Sequence, residues 1–354
     1  MKVGILTQHF LRNYGGIVQN WALQQVLISL GHEPLTLEHD TCYSRTRWLM
    51  RTAKQIVKRK SCKGLPAYPY KGRVGHRPFI DFIDSHINSI TVQLFTQAIG
   101  QRYGIEAFVV GSDQVWRPAF NVGRLYNMYL DFASESVKKV AYAASFGVSN
   151  WEYTDEEAMR CKLLAKRFDA ISVREQSGVE LCQNYLGIPA TKVLDPTLLL
   201  DKSDYMELCA DIPKEKDLVF VYALHLNEKM LSFAQKIAEK RRLRVRVLQA
   251  GDKLHPDDSI EKWIASFRDA TAVVTDSFHG MALSVVFHKP FFAFKNESGG
   301  QERISSFLNQ YGLNERLVDE GQEYHPQDID WDIIDRTNGA LRLASIEFLK
   351  KSLS

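Results

Sequence analysis

Short apolar runs recur along this chain, separated by amphipathic helical patterns. That alternation constrains the fold more than any other feature, because it calls for parallel β-strands joined by crossover helices. In the first half the runs are VGIL (3–6), PLTL (34–37), AFVV (107–110), VAYAA (140–144), AISV (170–173) and KVL (192–194). In the second they are LVFVYAL (218–224), RVRVL (244–248), AVVT (272–275) and PFFAF (290–294). Between the first two strands, 17–30 carries Trp21, Val26, Leu27 and Leu30 on a helical period. The helix predicted over 154–168 opens with Thr154 three residues before Glu157, a capping-box signature. Further helices are predicted over 227–242, 259–270, 278–289 and 301–311, and a long terminal one over 333–353.

A chain of 354 residues exceeds one ordinary domain. The expected architecture is α/β, with two Rossmann-like domains facing a central cleft. Residues 1–205 form the first, with a basic insertion at about 41–78, and 206–330 form the second. Residues 331–354 are expected to be a helix packing back on the first domain. The boundary falls where LLLDKSDY and DIPKEKD bring in charges and a proline. An apolar share of 45% with 25% charged residues suits a soluble globular protein. No stretch approaches the roughly 20 apolar residues needed to span a bilayer, and MKVGILTQHF lacks the layout of a secretory signal. Five scattered cysteines without a CxxC pair argue against a disulfide framework or a zinc site. The expectation is therefore a cytoplasmic protein without a metal.

The net charge of +3 is unevenly spread. Residues 41–80 contain eleven Lys or Arg and no Asp or Glu, which leaves 34 basic against 42 acidic residues elsewhere. Such a distribution does not support a general nucleic-acid footprint. Within the basic run, Arg45 to Lys60 places Leu49, Ala53, Ile56 and Val57 on one stripe with Trp48 alongside. This is a basic amphipathic helix, suited to an anionic membrane surface or a lipid-linked pyrophosphate. Packing of that stripe on the same chain is the equally weighted alternative.

Polar clusters follow six of the strand candidates. They are His9, Asn13 and Gly15-Gly16; Gly111-Ser112-Asp113; Ser145-Phe146-Gly147; Arg174-Glu175; Asp195-Pro196-Thr197; and Asp276-Ser277-Phe278-His279-Gly280. In open parallel sheets the loops beyond the strands' carboxyl ends form the ligand crevice, so six such clusters point to an enzyme. Gly15 and Gly16 let backbone approach a ligand, and the helix that follows offers free N–H groups to an anion; an empty Asn/Gly turn is the bland reading. The spacing is neither G-x-G-x-x-G nor a P-loop. His279 lies in the first turn of a helix, where the dipole favours the neutral imidazole a general base needs, and Ser277 or Asp276 caps that helix. Arg174 offers a fork of donors to phosphate or carboxylate, unless Glu175 simply pairs with it. Asp113 fixes a sugar hydroxyl or caps a helix, and Trp116 stacks on a sugar face or fills core. Asp195, ahead of Pro196, reads as a turn residue.

Taken in order, GILTQHFLRNYGGIVQNWALQQVLISLGH (4–32), FVVGSDQVWRP (108–118), AYAASFG (141–147), ISVREQSGVELC (171–182), VLDPTLLL (193–200) and TDSFHGMALSVVFHKPFFAF (275–294) resemble the polysaccharide pyruvyl transferase family. The resemblance implies a fold like the two-domain GT-B glycosyltransferases. It also implies transfer of a pyruvyl group from phosphoenolpyruvate, as a cyclic ketal, to two hydroxyls of a sugar in a cell-surface glycan or its lipid-linked precursor, with no further cofactor. In the family the histidine matching His279 and the arginine matching Arg174 are associated with donor binding and catalysis. The expected assignments are His279 and Asp113 for catalysis; Arg174, Asn13, Gly15, Gly16, Ser277 and Arg303 for the donor; and His9 and Trp116 for the acceptor. A glycosyltransferase using a nucleotide-sugar on the same architecture is the alternative. A non-catalytic sugar-binding scaffold is the third reading, disfavoured by the converging loops.

Overall fold

The computed structural model describes residues 1–10, 13–39, 76–251, 254–295, 301–318 and 328–354. The basic helix expected over Arg45–Lys60 lies outside these residues.

Seven strands form the first sheet: β1 (Lys2–Leu6), β2 (Glu33–His39), β3 (Ser89–Val92), β4 (Ala107–Val110), β5 (Lys138–Ala144), β6 (Ala170–Val173) and β7 (Thr191–Lys192). Their order is β3-β2-β1-β4-β5-β6-β7, and every pairing is parallel. The second sheet holds β8 (Leu218–Ala223), β9 (Arg244–Gln249), β10 (Ala270–Thr275) and β11 (Phe291–Ala293) in the order β11-β10-β8-β9, again all parallel. Both sheets are Rossmann-like. Each has a point where the strand order reverses, between β1 and β4 in the first and between β8 and β10 in the second, and a ligand crevice opens at such points.

Around the first sheet lie α1 (Tyr14–Ser29), α2 (Arg77–His86), α3 (Ala98–Tyr103), α4 (Asp155–Ala165) and α5 (Gln176–Leu181). After α6 (Lys202–Leu208), the second half carries α7 (Glu228–Arg241), α8 (Ile260–Asp269), α9 (Phe278–Val286) and α10 (Gln301–Tyr311). The capping box expected at Thr154 is formed: its side chain accepts from the Glu157 N–H while Glu157 reaches back to the Thr154 N–H. Sequence periodicity missed β3, α2, α3, α5 and α6. These elements are short, and β3 is only partly buried, so its apolar contrast is weak.

One apolar core runs continuously from the α1 side of the first sheet into the second half. Tyr14 sits at its centre, fully buried, edge-on to Phe79 (4.6 Å between centroids) and Tyr222 (5.9 Å) and tilted against Trp263 (5.3 Å). Aromatic residues from both halves thus fix how the two sheets meet. The terminal helix α11 (Trp331–Leu353) bridges the same two regions. At its start Trp331 stacks on His288 of the second half. Further along, Ser345 Oγ accepts from the Leu194 N–H (3.0 Å), and Arg342 donates to the Leu198 and Leu200 carbonyls.

Candidate active site

Five charged or titratable side chains meet where the loops of the two halves face each other. Arg174 leaves the end of β6, Asp113 follows β4, and Asp195 follows β7. His279 is the second residue of α9, and Arg303 lies on α10. All five are nine-tenths or more buried.

Asp195 is the hub. Its Oδ2 accepts from Arg174 Nη1 (2.7 Å) and Ser112 Oγ (2.8 Å), while Oδ1 accepts from the Thr197 N–H (3.0 Å) and Thr197 Oγ1 (2.7 Å). His279 Nε2 lies 3.9 Å from the same Oδ2. Burial alone would raise the pKa of Asp195, but Arg174, His279 and the Thr197 bonds outweigh it and hold the carboxyl at about 2. The turn reading of Asp195 captured only the Thr197 bonds. Its contacts with Arg174 and Ser112 come from elements far away in sequence, which no local pattern reveals.

Arg174 also reaches Asp113 (Nη2 to Oδ1, 3.5 Å), and Glu175 is its most distant acidic partner (3.9 Å). The Arg–Glu pair considered from the sequence is therefore secondary. Glu175 instead accepts through Oε1 from Ser145 Oγ (2.8 Å) and the Phe146 N–H (3.0 Å), holding the loop after β5. The guanidinium of Arg174 rests over the Phe278 ring, 4.5 Å from its centroid. Burial opposes its charge, but Asp195, Asp113 and Glu175 overcome this and raise its pKa. Arg303 stands 3.8 Å from Asp113 Oδ1. Burial, and then its neighbour Arg174, lower its pKa to about 10. Asp113 itself, at φ 76°, does not cap a helix. Burial works against its charge, yet Arg174, His279 and Arg303 lower its pKa.

His279 is held by two helix starts. Ser277 caps α9 by accepting from the Gly280 N–H (3.4 Å). Asp276 does not share that role; it accepts from the Leu224 and His225 N–H groups (2.6 and 2.8 Å) and ties the end of β8 to β10. Opposite, Asn13 caps α1 by accepting from the Gly16 N–H (3.1 Å). The imidazole packs so closely on this start that a Cβ at Gly15 would lie 2.0 Å from His279 Nδ1. Glycine is required there by space. Burial is the first cause of a lowered His279 pKa, and Arg174 and Arg303 add to it against the pull of Asp195 and Asp113. The ring is therefore neutral near pH 7.

Among the described residues, three buried N–H positions of this cluster lack a hydrogen-bond partner, Arg174 Nε and Nη2 and Arg303 Nε, as do the ring nitrogen His279 Nε2 and the acceptor Glu175 Oε2. A cavity of about 10 Å³, room for roughly one water, lies between Arg174, Glu175, Asp195, Phe278 and Arg303. Buried donors without acceptors are costly, and an anion is the kind of ligand whose oxygens match them.

A wider cleft of about 490 Å³ opens beside the cluster and shares Asp113 with it. His9 and Asn13 line it, with Gln8, Gln114, Phe120 and Asn121. Trp116, expected to stack on an acceptor, is not among its walls. It is fully buried, stacks on Tyr129 (4.8 Å, 9° between planes) and donates from Nε1 to the Met128 carbonyl (3.0 Å). Trp116 is a core residue, because the chain turns its side chain toward the outer layer of the first half. Sequence reasoning also overlooked Gln19, buried on α1. Its Nε2 donates to Thr7 Oγ1 (2.8 Å) and the Gly16 carbonyl (3.0 Å), and its Oε1 accepts from the Ser112 N–H (3.2 Å). A glutamine on the buried stripe of a helix was the available signal. Among the described residues no group of three or more His, Cys, Asp or Glu is placed to hold a metal ion. No helix among them is long and apolar enough to cross a membrane.

Solved structures similar to this chain include UDP-GlcNAc 2-epimerase from Neisseria meningitidis, with 10% identity, a TM-score of 0.47, and 99% of this chain and 100% of that one covered. A putative UDP-N-acetylglucosamine 2-epimerase from Listeria monocytogenes shows 13% identity and a TM-score of 0.47, with 99% and 90% covered. A glycosyltransferase from Rickettsia africae shows 9% identity and a TM-score of 0.43, with 99% and 97% covered. No curated protein sequence matches. Residues 13–298 match the polysaccharide pyruvyl transferase family, a span holding Asp113, Arg174, Asp195 and His279 but not Arg303. The chain belongs to that family.

Proposed function

We propose that the chain transfers a pyruvyl group from phosphoenolpyruvate to two hydroxyls of one sugar, forming a cyclic ketal. The observation that carries this reading is the buried set of three N–H positions on Arg174 and Arg303 without a hydrogen-bond partner, gathered beside His279 Nε2 where both halves meet. Phosphoenolpyruvate brings a phosphate and a carboxylate, and two arginines with the α1 helix start supply donors for both. Family membership adds a transferase acting on polysaccharide.

Chemically, a proton added to the methylene carbon leaves a cation-like C2, which the first sugar hydroxyl attacks. The C2–O bond to phosphate breaks, and the second hydroxyl closes the ring. Of the two hydroxyl protons released, one balances the proton now in the methyl group and the other leaves with phosphate. His279 Nε2, neutral and without a partner among the described residues, takes the hydroxyl proton. Asp195 holds Arg174 in place through the 2.7 Å bond. Asp113, adjoining both the cluster and the cleft, orients the attacking hydroxyl.

The test is phosphate release from phosphoenolpyruvate across a panel of hexose acceptors, with mass spectrometry for a pyruvyl adduct. Release that depends on the acceptor, with the adduct found, supports the reading. Release from none of them, together with turnover of a UDP-sugar, replaces it with glycosyl transfer.

A further inference from the structure

The cleft of about 490 Å³ beside Asp113 exceeds what a three-carbon donor fills and falls in the usual range for small-ligand sites. Asp113 connects it to the buried cluster, standing 3.5 Å from Arg174 and 3.8 Å from Arg303 while lining the cleft. We propose that this cleft is the acceptor subsite. It takes a neutral, hydroxyl-rich pyranose seated against Phe120, with Gln8 reading one of its hydroxyls. The proposal rests on the reading that the chain modifies a sugar.

The chemistry of the walls selects the ligand. Gln8 uses its amide nitrogen twice, donating to the Gln114 carbonyl (2.7 Å) and to Asn121 Oδ1 (3.2 Å). Asn121 is locked in turn, its Nδ2 donating to the carbonyls of Gln114, Val115 and Arg117. This network fixes which end of each amide is which. The group Gln8 can offer a ligand is its carbonyl oxygen, and that oxygen needs a donor. Glu38 and Asp113 add carboxylates to the same walls. An acceptor that needs a donor calls for a hydroxyl group, which is what a sugar presents. Arg124 is the cation among the described walls, and Asp113 is already matched by Arg174 and Arg303.

Phe120 supplies the apolar element. It is 54% exposed and lies at the cleft, with the Arg117 guanidinium 4.9 Å from the ring centroid. An aromatic ring beside a polar pocket is the counterpart of a pyranose, which carries C–H groups on a face and hydroxyls at its rim. Phe120 thus takes the place expected for Trp116, which lies four residues earlier and points into the core.

Two measurements test this, each on the full chain. Saturation-transfer NMR reads direct binding of methyl glycosides of glucose, galactose and mannose, with methyl glucuronide as the anionic counterpart. Steady-state phosphate release reads acceptor and donor KM separately. Phe120→Ala, an exposed substitution, is expected to raise the acceptor KM about fivefold to tenfold, the loss of one aromatic contact, with the donor KM within about twofold. Gln8→Leu is expected to raise the acceptor KM likewise, and Arg124→Ala to change little. If the wild type transfers but neither Phe120→Ala nor Gln8→Leu moves the acceptor KM, the subsite is wrong and the transfer reading stands. A glucuronide that outcompetes the neutral glycosides, or an Arg124→Ala variant that loses binding, overturns the neutral class. If no acceptor supports phosphate release, the transfer reading fails. NMR then still decides the subsite: neutral glycosides that bind wild type and not Phe120→Ala support it, and glycosides that bind both or neither overturn it.

Discussion

Two helix starts in this molecule are built alike and used differently. At α1, Asn13 caps the Gly16 N–H; at α9, Ser277 caps the Gly280 N–H. Both follow the carboxyl end of a parallel strand, and both need glycine for space. A Cβ at Gly280 would stand 2.2 Å from Thr275 Oγ1, so that glycine seats α9 on β10. Gly15 serves a side chain from the other half, leaving room for the His279 ring. One helix start therefore carries His279 and the other forms the floor beneath its ring.

The largest effect expected from breaking this pair is His279→Ala. General acid–base groups contribute about 10²–10⁴-fold, so turnover should fall by that order while circular dichroism and melting temperature stay near wild type. Activity within about threefold of wild type would remove His279 from the chemistry. Gly15→Ala sharpens the comparison, because it leaves every reactive group in the sequence and displaces the ring. Turnover is expected to drop by about a hundredfold, on the scale of a misplaced catalytic group, whereas Gly31→Ala, outside the site, should leave it unchanged. Equal effects of the two substitutions would mean that the α1 start is not the floor of the site.

Smaller, and on a different parameter, is the effect expected at Arg174. Arg174→Ala should raise the donor KM much more than the acceptor KM, because a fork of donors to an anion is lost. Lysine should restore only part of it, having no planar fork. An unchanged donor KM would reduce Arg174 to a structural partner of Asp195.

Much of this architecture was legible because parallel strands are buried on both faces and read as continuous apolar runs. AFVV and AISV coincide with β4 and β6, and the remaining runs overlap strands with small differences at their ends. Arg174, His279 and Asp113 were legible by position, each just beyond a strand. The partner of each was not. Asp195 joins Ser112, Arg174 and Thr197 through contacts spanning up to 83 residues of sequence, and nothing local separates it from an ordinary turn aspartate. Trp116 failed for the opposite reason. Its neighbourhood, GSDQVWRP, is polar, but the direction of one side chain is set by the loop backbone and by Tyr129 beneath it. Positions of loops follow from sequence patterns; side-chain directions inside them follow from packing.

The smallest expected effect concerns protonation, and it separates the two helix starts by charge. In the folded chain the His279 pKa lies below its ordinary value of 6.5, first because of burial and then because of Arg174 and Arg303. A neutral imidazole is the form that accepts a proton, so kcat/KM should stay level through neutrality and decline on the acid side only below 6.5. Arg303→Gln removes a positive neighbour and should move that limb up; Asp113→Asn removes a negative one and should move it down. The same shift has a stability consequence of fixed sign. Because the folded pKa is lower than the unfolded one, the unfolded chain binds the proton first. The contribution is full above the unfolded value and is lost as pH falls through it toward the folded value. Thermal melts from pH 7 to 5 should therefore show a steeper loss for wild type than for His279→Asn, which has nothing to titrate there. Parallel curves would show that the imidazole titrates in the fold as it does in the unfolded chain, and that its seat on the α1 start does not keep it dry.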